Sequence, residues 1–147
     1  MISLHSGEFL ETTMKDIIIS AERVAHVQYK NDLQHALLVL TKTGYTAVPV
    51  LDPTYKLRGL ISTTQIMDAI LGLERIEFER LSQMTVEDVM SRDIPILNIN
   101  DKVTKGLELV VDHPFICVVN DDDILEGIFT RRAILKRLNK HIRRLNK

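Results

Sequence analysis

Apolar residues repeat at the spacing of one helix face in two separate parts of the chain. The positions i, i+3, i+4 and i+7 are apolar in both, which predicts two amphipathic helices of similar design. They are Leu33, Ala36, Leu37 and Leu40 in the first half, and Val103, Gly106, Leu107 and Val110 in the second. Asn-Asp precedes each stretch, at residues 31–32 and 100–101, and predicts a helix N-cap there. Gly44 follows the first stretch, where a left-handed C-cap is expected.

A β-hairpin and a closing helix are predicted after each amphipathic helix. The β-rich runs "YTAVPVL" and "LRGLIS" flank the turn "DPTYK", and "FICVVN" and "ILEGIFT" flank "DDD" in the same way. The closing helices are expected to begin at Thr63 and Arg131, with Ser62 and Thr130 as their N-caps.

The order of these elements divides the chain into two repeats. Each repeat opens on Thr-x-x-Asp, at Thr13 and Thr85, a capping-box pattern that predicts a short helix. We predict one repeat over residues 12–72, a charged helical linker over 73–83 and a second repeat over 84–142. The element order β-α-β-β-α predicts an α/β (α+β) fold. Because a repeat of about seventy residues buries little core alone, we expect the two to pack face to face as one pseudo-two-fold module.

Composition narrows the class of protein. The chain has 147 residues, 45% of them hydrophobic, and a formal net charge of -1, so it has no overall attraction to nucleic acid or acidic membranes. The single cysteine, Cys117, excludes an internal disulfide and suits a reducing compartment. We recognise no signal peptide and no apolar run of bilayer length, so a cytoplasmic location is expected.

Catalytic and metal-binding motifs are missing from the sequence. The five histidines show no metal-ligand spacing, and no phosphate-binding loop, dinucleotide fingerprint, Gly-x-Ser-x-Gly or His-Glu-x-x-His pattern occurs. We therefore expect no enzyme activity, no metal and no cofactor.

The start of the final helix carries an unusual charge. Arg131 and Arg132 would occupy its first turn, although the free amides of a helix start are already partially positive. A bound phosphate would reverse this unfavourable arrangement, because amides and guanidinium groups both attract it. The corresponding residues of the first repeat, Ser62, Thr63 and Thr64, bring no cation. One working anion site is therefore expected.

The two repeats, each with a strand that ends in "GLIS" or "GIFT", resemble cystathionine-β-synthase (CBS) domains, which occur in tandem as Bateman modules. The family implies a mostly non-catalytic module that binds adenosine-type ligands in clefts between the repeats. "HALLVLTKTGYTAVPVLDP", "GLERIEFE" and "GIFTRR" are similar to the stand-alone CBS pairs of low-GC Gram-positive bacteria that bind cyclic di-AMP. This resemblance implies cyclic di-AMP as the ligand, a homodimer, and regulation of a partner protein in trans. The (p)ppGpp synthetase of the stringent response is a reported class of partner in that group.

The same resemblance implies a set of ligand-binding residues. Phosphates would lie at the start of the final helix, and the adenine against "RVA" and "YTAV". The implied set is Arg23, Val24, Ala25, Tyr45, Thr46, Ala47, Val48, Thr130, Arg131 and Arg132. Many relatives also carry an Asp three positions after the cap, where it holds the ribose hydroxyls of AMP or ATP. Gln65 and Ala133 stand there in this chain, which favours a cyclic 3′,5′-dinucleotide and leaves weak AMP binding open.

Two other functions remain open from the sequence. One is an AMP- or ATP-sensing CBS module. The other is nucleic-acid binding by the basic final helix, which lacks recognised docking motifs and neighbouring exposed aromatics. Its cationic residues would be Lys136, Arg137, Lys140, Arg143, Arg144 and Lys147.

Overall fold

The computed structural model describes residues 11–146 of the chain. His5 and Lys147, which belong to the sets considered above, lie outside the described residues. The chain forms two compact units. Unit one combines the chain up to Val24 with the chain from Pro95 onward, and unit two is Ala25–Ile94.

The described elements follow the predicted order. They are α1 (Met14–Ile17), β1 (Ile19–Ser20), a 3-10 helix (Ala21–Arg23), β2 (Val27–Gln28), α2 (Leu33–Thr43), β3 (Ala47–Leu51), β4 (Leu57–Ser62), α3 (Thr63–Ile70), α4 (Arg80–Gln83), α5 (Val86–Val89), β5 (Ile96–Asn98), α6 (Val103–Leu109), β6 (Phe115–Val119), β7 (Leu125–Thr130) and α7 (Arg131–Leu145). The predicted α/β class and both predicted hairpins are confirmed. Within residues 11–146, no helix combines the length and apolar character needed to cross a membrane.

Each unit contains one sheet of similar design. In unit one the strand order is β1-β7-β6-β5, and in unit two it is β2-β3-β4. The hairpins β3–β4 and β6–β7 are antiparallel, whereas β2–β3 and β5–β6 are parallel pairs. A parallel pair needs a crossover connection, and α2 and α6 provide it. These helices are therefore held against the sheets by their apolar faces.

The first helix of each predicted repeat belongs to the unit that holds the other repeat's hairpin. In unit two, α5 is hydrogen-bonded to the loop that precedes α2. The amide of Val86 donates to the Asn31 carbonyl at 2.8 Å, and the amide of Glu87 donates to the Tyr29 carbonyl at 2.9 Å. In unit one, α1 packs with the core of the second hairpin through Met14. The compact units and the sequence repeats are therefore different divisions of the chain.

A close backbone contact fixes this exchange in both units. The second residue after each first helix pairs with a hairpin strand, Ile19 with Ile128 and Ser91 with Leu60. Glycine lies beside each contact. A Cβ atom at Gly127 would stand 2.2 Å from the carbonyl oxygen of Ile19, and one at Gly59 would stand 2.3 Å from that of Ser91. No side chain fits there, so these strand positions require glycine.

At equivalent positions, the two cores are packed with side chains of different size. In unit two, Ala36 of α2 and Ile61 of β4 are fully buried. The equivalent residues of unit one are Gly106 and Phe129, and a Cβ at Gly106 would lie 2.8 Å from the Phe129 ring. A larger aromatic residue therefore occupies the volume that the missing methyl group leaves, which keeps the packing dense.

Most predicted caps are confirmed. Asp32 accepts from the His35 amide at 2.8 Å, and Gly44 ends α2 with φ 77°. Thr13 accepts from the Asp16 amide, and the Thr85 amide donates to the Asp88 carboxylate at 3.0 Å.

The predicted cap at residues 100–101 is wrong. Lys102 is the N-cap residue of α6 and makes no side-chain cap bond. Asp101 instead accepts from the Asn98 amide at 2.7 Å, as Asn31 accepts from the Gln28 amide in unit two. The Asp101 side chain thus stabilises the turn, and the N-cap position of α6 is the next residue, Lys102.

The predicted helical linker is helical only over Arg80–Gln83. The preceding segment folds back on itself, because the Gly72 amide donates to the Arg75 carbonyl and the Glu77 amide to the Ile70 carbonyl. These bonds use backbone groups that a continuous helix would need.

Gly127→Ala should lower the free energy of unfolding by about 2–3 kcal/mol, because the new methyl group overlaps the Ile19 carbonyl and must displace β1. Gly44→Ala is the control: no heavy atom lies within 4 Å, and its left-handed φ costs about 1–2 kcal/mol at most. Urea unfolding of both variants measures the difference. Gly127→Ala no more destabilising than Gly44→Ala would contradict the close-contact account.

Candidate functional site: the start of the final helix

The start of α7 is anchored to its own sheet but retains free donors. The Thr130 hydroxyl oxygen accepts from the Ala133 amide at 3.0 Å, and the Arg131 amide donates to the Pro114 carbonyl at 2.9 Å. Within the described part of the chain, the Arg132 amide has no partner. The Thr130 hydroxyl hydrogen and the Arg132 amide can therefore both donate to an anion.

Arg131 is engaged in a structural contact. Its Nε donates to the Val110 carbonyl at 2.8 Å and its Nη2 to the Val111 carbonyl at 3.4 Å. Val110 is the C-cap residue of α6, where unsatisfied carbonyls are partially negative. Arg131 therefore stabilises the end of α6, which explains one of the two cations without any ligand.

Arg132 has no such contact. Its side chain is exposed and forms no hydrogen bond or ion pair with any of residues 11–146. It lines an open cavity of about 670 Å³ in unit one. The cavity lining is Pro114, Thr130, Arg131, Arg132, Leu135, Lys136 and Asn139. No acidic residue belongs to this lining, so the charge of the cavity favours an anion.

The corresponding helix start in unit two is closed. Ser62 accepts from the Gln65 amide at 3.1 Å, and Gln65 Oε1 accepts from the Ser62 amide at 2.9 Å. The Gln65 Nε2 also donates to the Ser91 hydroxyl. The polar groups of this helix start satisfy one another, and no cation accompanies them.

The other predicted residues fall into two groups. Arg23 and Val24 belong to unit one, but β1 runs antiparallel to β7. The chain beyond Ser20 therefore leads toward the Leu125 end of β7, and Thr130 ends the strand on the other side. Unit one brings Thr130, Arg131 and Arg132 together and does not place Arg23 and Val24 beside them.

The predicted base-contacting residues of unit two surround the first residues of β3. The Tyr45 ring is 48% exposed, and the Thr46 carbonyl accepts from the Thr63 amide at 3.1 Å. Ala47 pairs with Ser62, and Ala25 packs partly buried on the core. Val48 is 1% exposed, so it offers a ligand only its backbone. A stacking face and a hydroxyl are thus accessible at Tyr45 and Thr46.

Nucleophilic or metal chemistry has no support among the described side chains. Cys117 is 1% exposed, and burial raises the pKa of its thiol to about 12. The thiol is therefore protonated at neutral pH and is a poor nucleophile. Within residues 11–146, no group of three or more His, Cys, Asp or Glu could hold a metal ion.

Lys136 and Asn139 are cavity residues that the sequence prediction of this site missed. Lys136 lies four residues after Arg132, and Asn139 lies seven residues after Arg132. Helix periodicity therefore places all three on one side of α7. That spacing was the signal available in the sequence. The Arg131 contact has no such signal, because its partners are about twenty residues away in the chain.

The comparisons with known proteins agree with the repeat. A family model described as CBS domain matches residues 13–72 and 86–140. Cyclic di-AMP receptor B of Bacillus subtilis (strain 168) is 63% identical over 147 residues, which are 100% of both chains. A CBS domain-containing protein of unknown function from Bacillus anthracis is 64% identical, with a TM-score of 0.86 over 92% of this chain and 98% of that one. The crystal structure of CbpB from Listeria monocytogenes in complex with c-di-AMP is 56% identical, with a TM-score of 0.83 over 88% of this chain and 97% of that one.

The family match covers both repeats, and the similar structures share the fold of the described residues. The resemblance inferred from the sequence is thereby confirmed. This chain belongs to the CBS-domain family, as a tandem pair of CBS domains.

Proposed function

We propose that this protein is a non-catalytic receptor for cyclic di-AMP that regulates a partner protein in trans. The observation that carries the proposal is Arg132, an exposed guanidinium with no partner among residues 11–146, beside the free amide of a helix start. The name of the Bacillus subtilis relative and the c-di-AMP complex of the Listeria protein support the choice of ligand.

The phosphate part of the proposal follows from the donors. A guanidinium grips a phosphate with two parallel hydrogen bonds, and the Arg132 amide and Thr130 hydroxyl add two further donors. Lys136 contributes a second positive charge from the same cavity. Arg131 contributes charge, with part of its hydrogen-bonding capacity already used by the end of α6.

The base contacts rest on the family resemblance. We propose that Tyr45 stacks on an adenine, and that Thr46 and the backbone of the flanking residues contact its edge. The remaining members of this proposed set are Arg23, Val24, Ala25, Ala47 and Val48. An aromatic ring face gives a base about 1–3 kcal/mol of stacking, so Tyr45 is the largest expected contribution among the base contacts.

The choice between a cyclic dinucleotide and AMP rests on two positions. Gln65 carries a carboxamide, which is already bonded to Ser62 and Ser91, and Ala133 has only a methyl group. Neither position therefore offers a carboxylate to a ribose diol. A cyclic 3′,5′-dinucleotide has its 3′-oxygens in phosphodiester bonds and does not need that carboxylate. AMP is expected to bind more weakly.

The partner and assembly are also proposals. The candidate partner is the (p)ppGpp synthetase of the stringent response, in the cytoplasm. We propose a homodimer, supported by the apolar side of α7, where Leu135 and Ile142 are 55% and 46% exposed. A monomer mass by light scattering, at concentrations used for ligand titration, would rule the dimer out.

Calorimetric titration should show tight binding of cyclic di-AMP, weaker binding of AMP and ATP, and a loss in Arg132→Met. Removing a hydrogen-bonded charge should cost about 1.5–3 kcal/mol, or roughly 10- to 150-fold in affinity. Arg143→Met is the matched control, because Arg143 is exposed on the same helix and lines neither cavity of α7. Equal affinities in the two variants would refute the phosphate site, and absence of cyclic di-AMP binding to the natural protein would refute the proposed function.

Cyclic di-AMP should weaken binding of the protein to purified (p)ppGpp synthetase. A ligand can regulate a partner only if the two favour different states, and typical coupling is about 5- to 150-fold in affinity. Surface-immobilised protein, titrated with the synthetase in the absence and presence of saturating cyclic di-AMP, measures this coupling. Arg132→Met, at a concentration of cyclic di-AMP that it does not bind, should retain the ligand-free affinity. Equal affinity of the natural protein in both conditions would exclude the switch.

A further inference from the structure

A second cationic surface lies on α7 and shares Lys136 with the Arg132 cavity. It is a groove of about 470 Å³ between α7 and the segment that contains α1. Its lining is Thr12, Asp16, Ile17, Ala133, Lys136, Arg137, Lys140, His141 and Arg144. We call it the basic groove.

The charge of the groove is not neutralised within the described chain. None of the seven Lys and Arg residues of α7 forms an ion pair with any of residues 11–146. The one carboxylate of the lining, on Asp16, accepts a hydrogen bond from the Thr13 hydroxyl at 2.7 Å. The groove therefore presents several positive charges to whatever occupies it.

One wall of the groove is held in place. Arg137 Nη1 donates to the Thr12 hydroxyl at 3.2 Å and its Nη2 to the Asp16 carbonyl at 3.5 Å. These bonds join α7 to a segment more than 120 residues earlier in the chain. Lys136, Lys140 and Arg144 make no such contacts with any of residues 11–146, so their cationic heads can meet an external partner.

The three available cations have a regular spacing. Lys136, Lys140 and Arg144 follow one another by four residues, which is about 6 Å along a helix. Alternate side chains of an extended peptide recur about every 6.8 Å on one face. An extended segment with an acidic residue at every second position therefore matches the spacing of these three cations.

We propose that the basic groove docks an extended acidic segment of the partner protein, with carboxylates at alternate positions facing Lys136, Lys140 and Arg144. This inference rests on the proposed regulation of a partner and names the surface that performs it. Ile17 and Ala133 give the apolar residues of such a segment a place to pack.

A nucleic acid fits the same surface less well. Among residues 11–146, no Phe, Tyr or Trp belongs to the lining, so the described groove offers bases no aromatic face on which to stack. The net positive charge is also confined to the last residues of the chain. Residues 131–147 carry eight Lys or Arg and no Asp or Glu, which is a charge of +8. Since the formal net charge of the whole chain is -1, the rest of the chain has a net charge of -9. That negative remainder repels a polyanion that extends beyond the groove.

The probe is a fluorescein-labelled nine-residue peptide of alternating Glu and Ala, measured by anisotropy against the full-length protein. We expect saturable binding that falls about tenfold or more in Lys140→Glu/Arg144→Glu, because two attractions become repulsions. The control is Lys42→Glu/Lys56→Glu, two exposed lysines of unit two, which should bind the peptide like the natural protein. A peptide with the same residues in two blocks, all Glu then all Ala, should bind more weakly.

Each alternative occupant has its own outcome. If oligothymidylate of equal charge binds as tightly as the peptide, the groove is a nucleic-acid site and the proposal is wrong. A change of mass by light scattering in Lys140→Glu/Arg144→Glu would assign the groove to a second copy and overturn the proposal, as would unchanged peptide affinity in that variant. Cyclic di-AMP affinity is measured on the same samples and should not change, since neither residue lines the Arg132 cavity. Failure of cyclic di-AMP to bind any of them would refute the receptor function and leave the peptide result standing.

Discussion

The fold depends on a contact in which a carbonyl oxygen lies against a strand where no side chain fits. Ile19 reaches β7 only because residue 127 is glycine, and Ser91 reaches β4 only because residue 59 is glycine. Each contact attaches the first helix of one repeat to the unit that holds the other repeat's hairpin. In unit one, the same contact sets the position of α1 beside α7, so it also creates one wall of the basic groove.

Two adjacent arginines at one helix start have different surroundings. Arg131 satisfies carbonyls at the end of α6, where a cation is electrostatically favoured. Arg132, one residue later, is exposed and makes no bond to any of residues 11–146. A stabilising contact and the proposed ligand contact thus share one turn of helix. A substitution of Arg131 is expected to affect stability and ligand binding together, whereas a substitution of Arg132 separates the two.

Local sequence patterns predicted most of the fold. The helix stripes, the hairpins and the caps at Asp32, Ser62 and Thr130 follow from periodicity and short-range hydrogen bonds, and the structure confirms them. The errors occurred where one local signal competed with another. The Asp101 side chain could either close a turn or cap a helix, and it closes the turn. In the charged linker, the amides form hydrogen bonds that fold the segment back on itself instead of continuing a helix.

The candidate site was predictable only in part, for the same reason. Helix periodicity links Arg132 to Lys136 and Asn139, but the partners of Arg131 and the α1 wall of the groove are distant in sequence. Such contacts are tertiary, and no pattern within α7 records them.

Arg132 is the proposed anion-binding arginine, and Arg131 the structural one. A crystal structure of the protein with cyclic di-AMP tests this most directly. We expect a phosphate oxygen about 2.7–2.9 Å from the Arg132 guanidinium, with the bond from Arg131 to the Val110 carbonyl retained. A bound dinucleotide whose phosphates do not contact Arg132, or an Arg131 that leaves α6 to bind them alone, would contradict it.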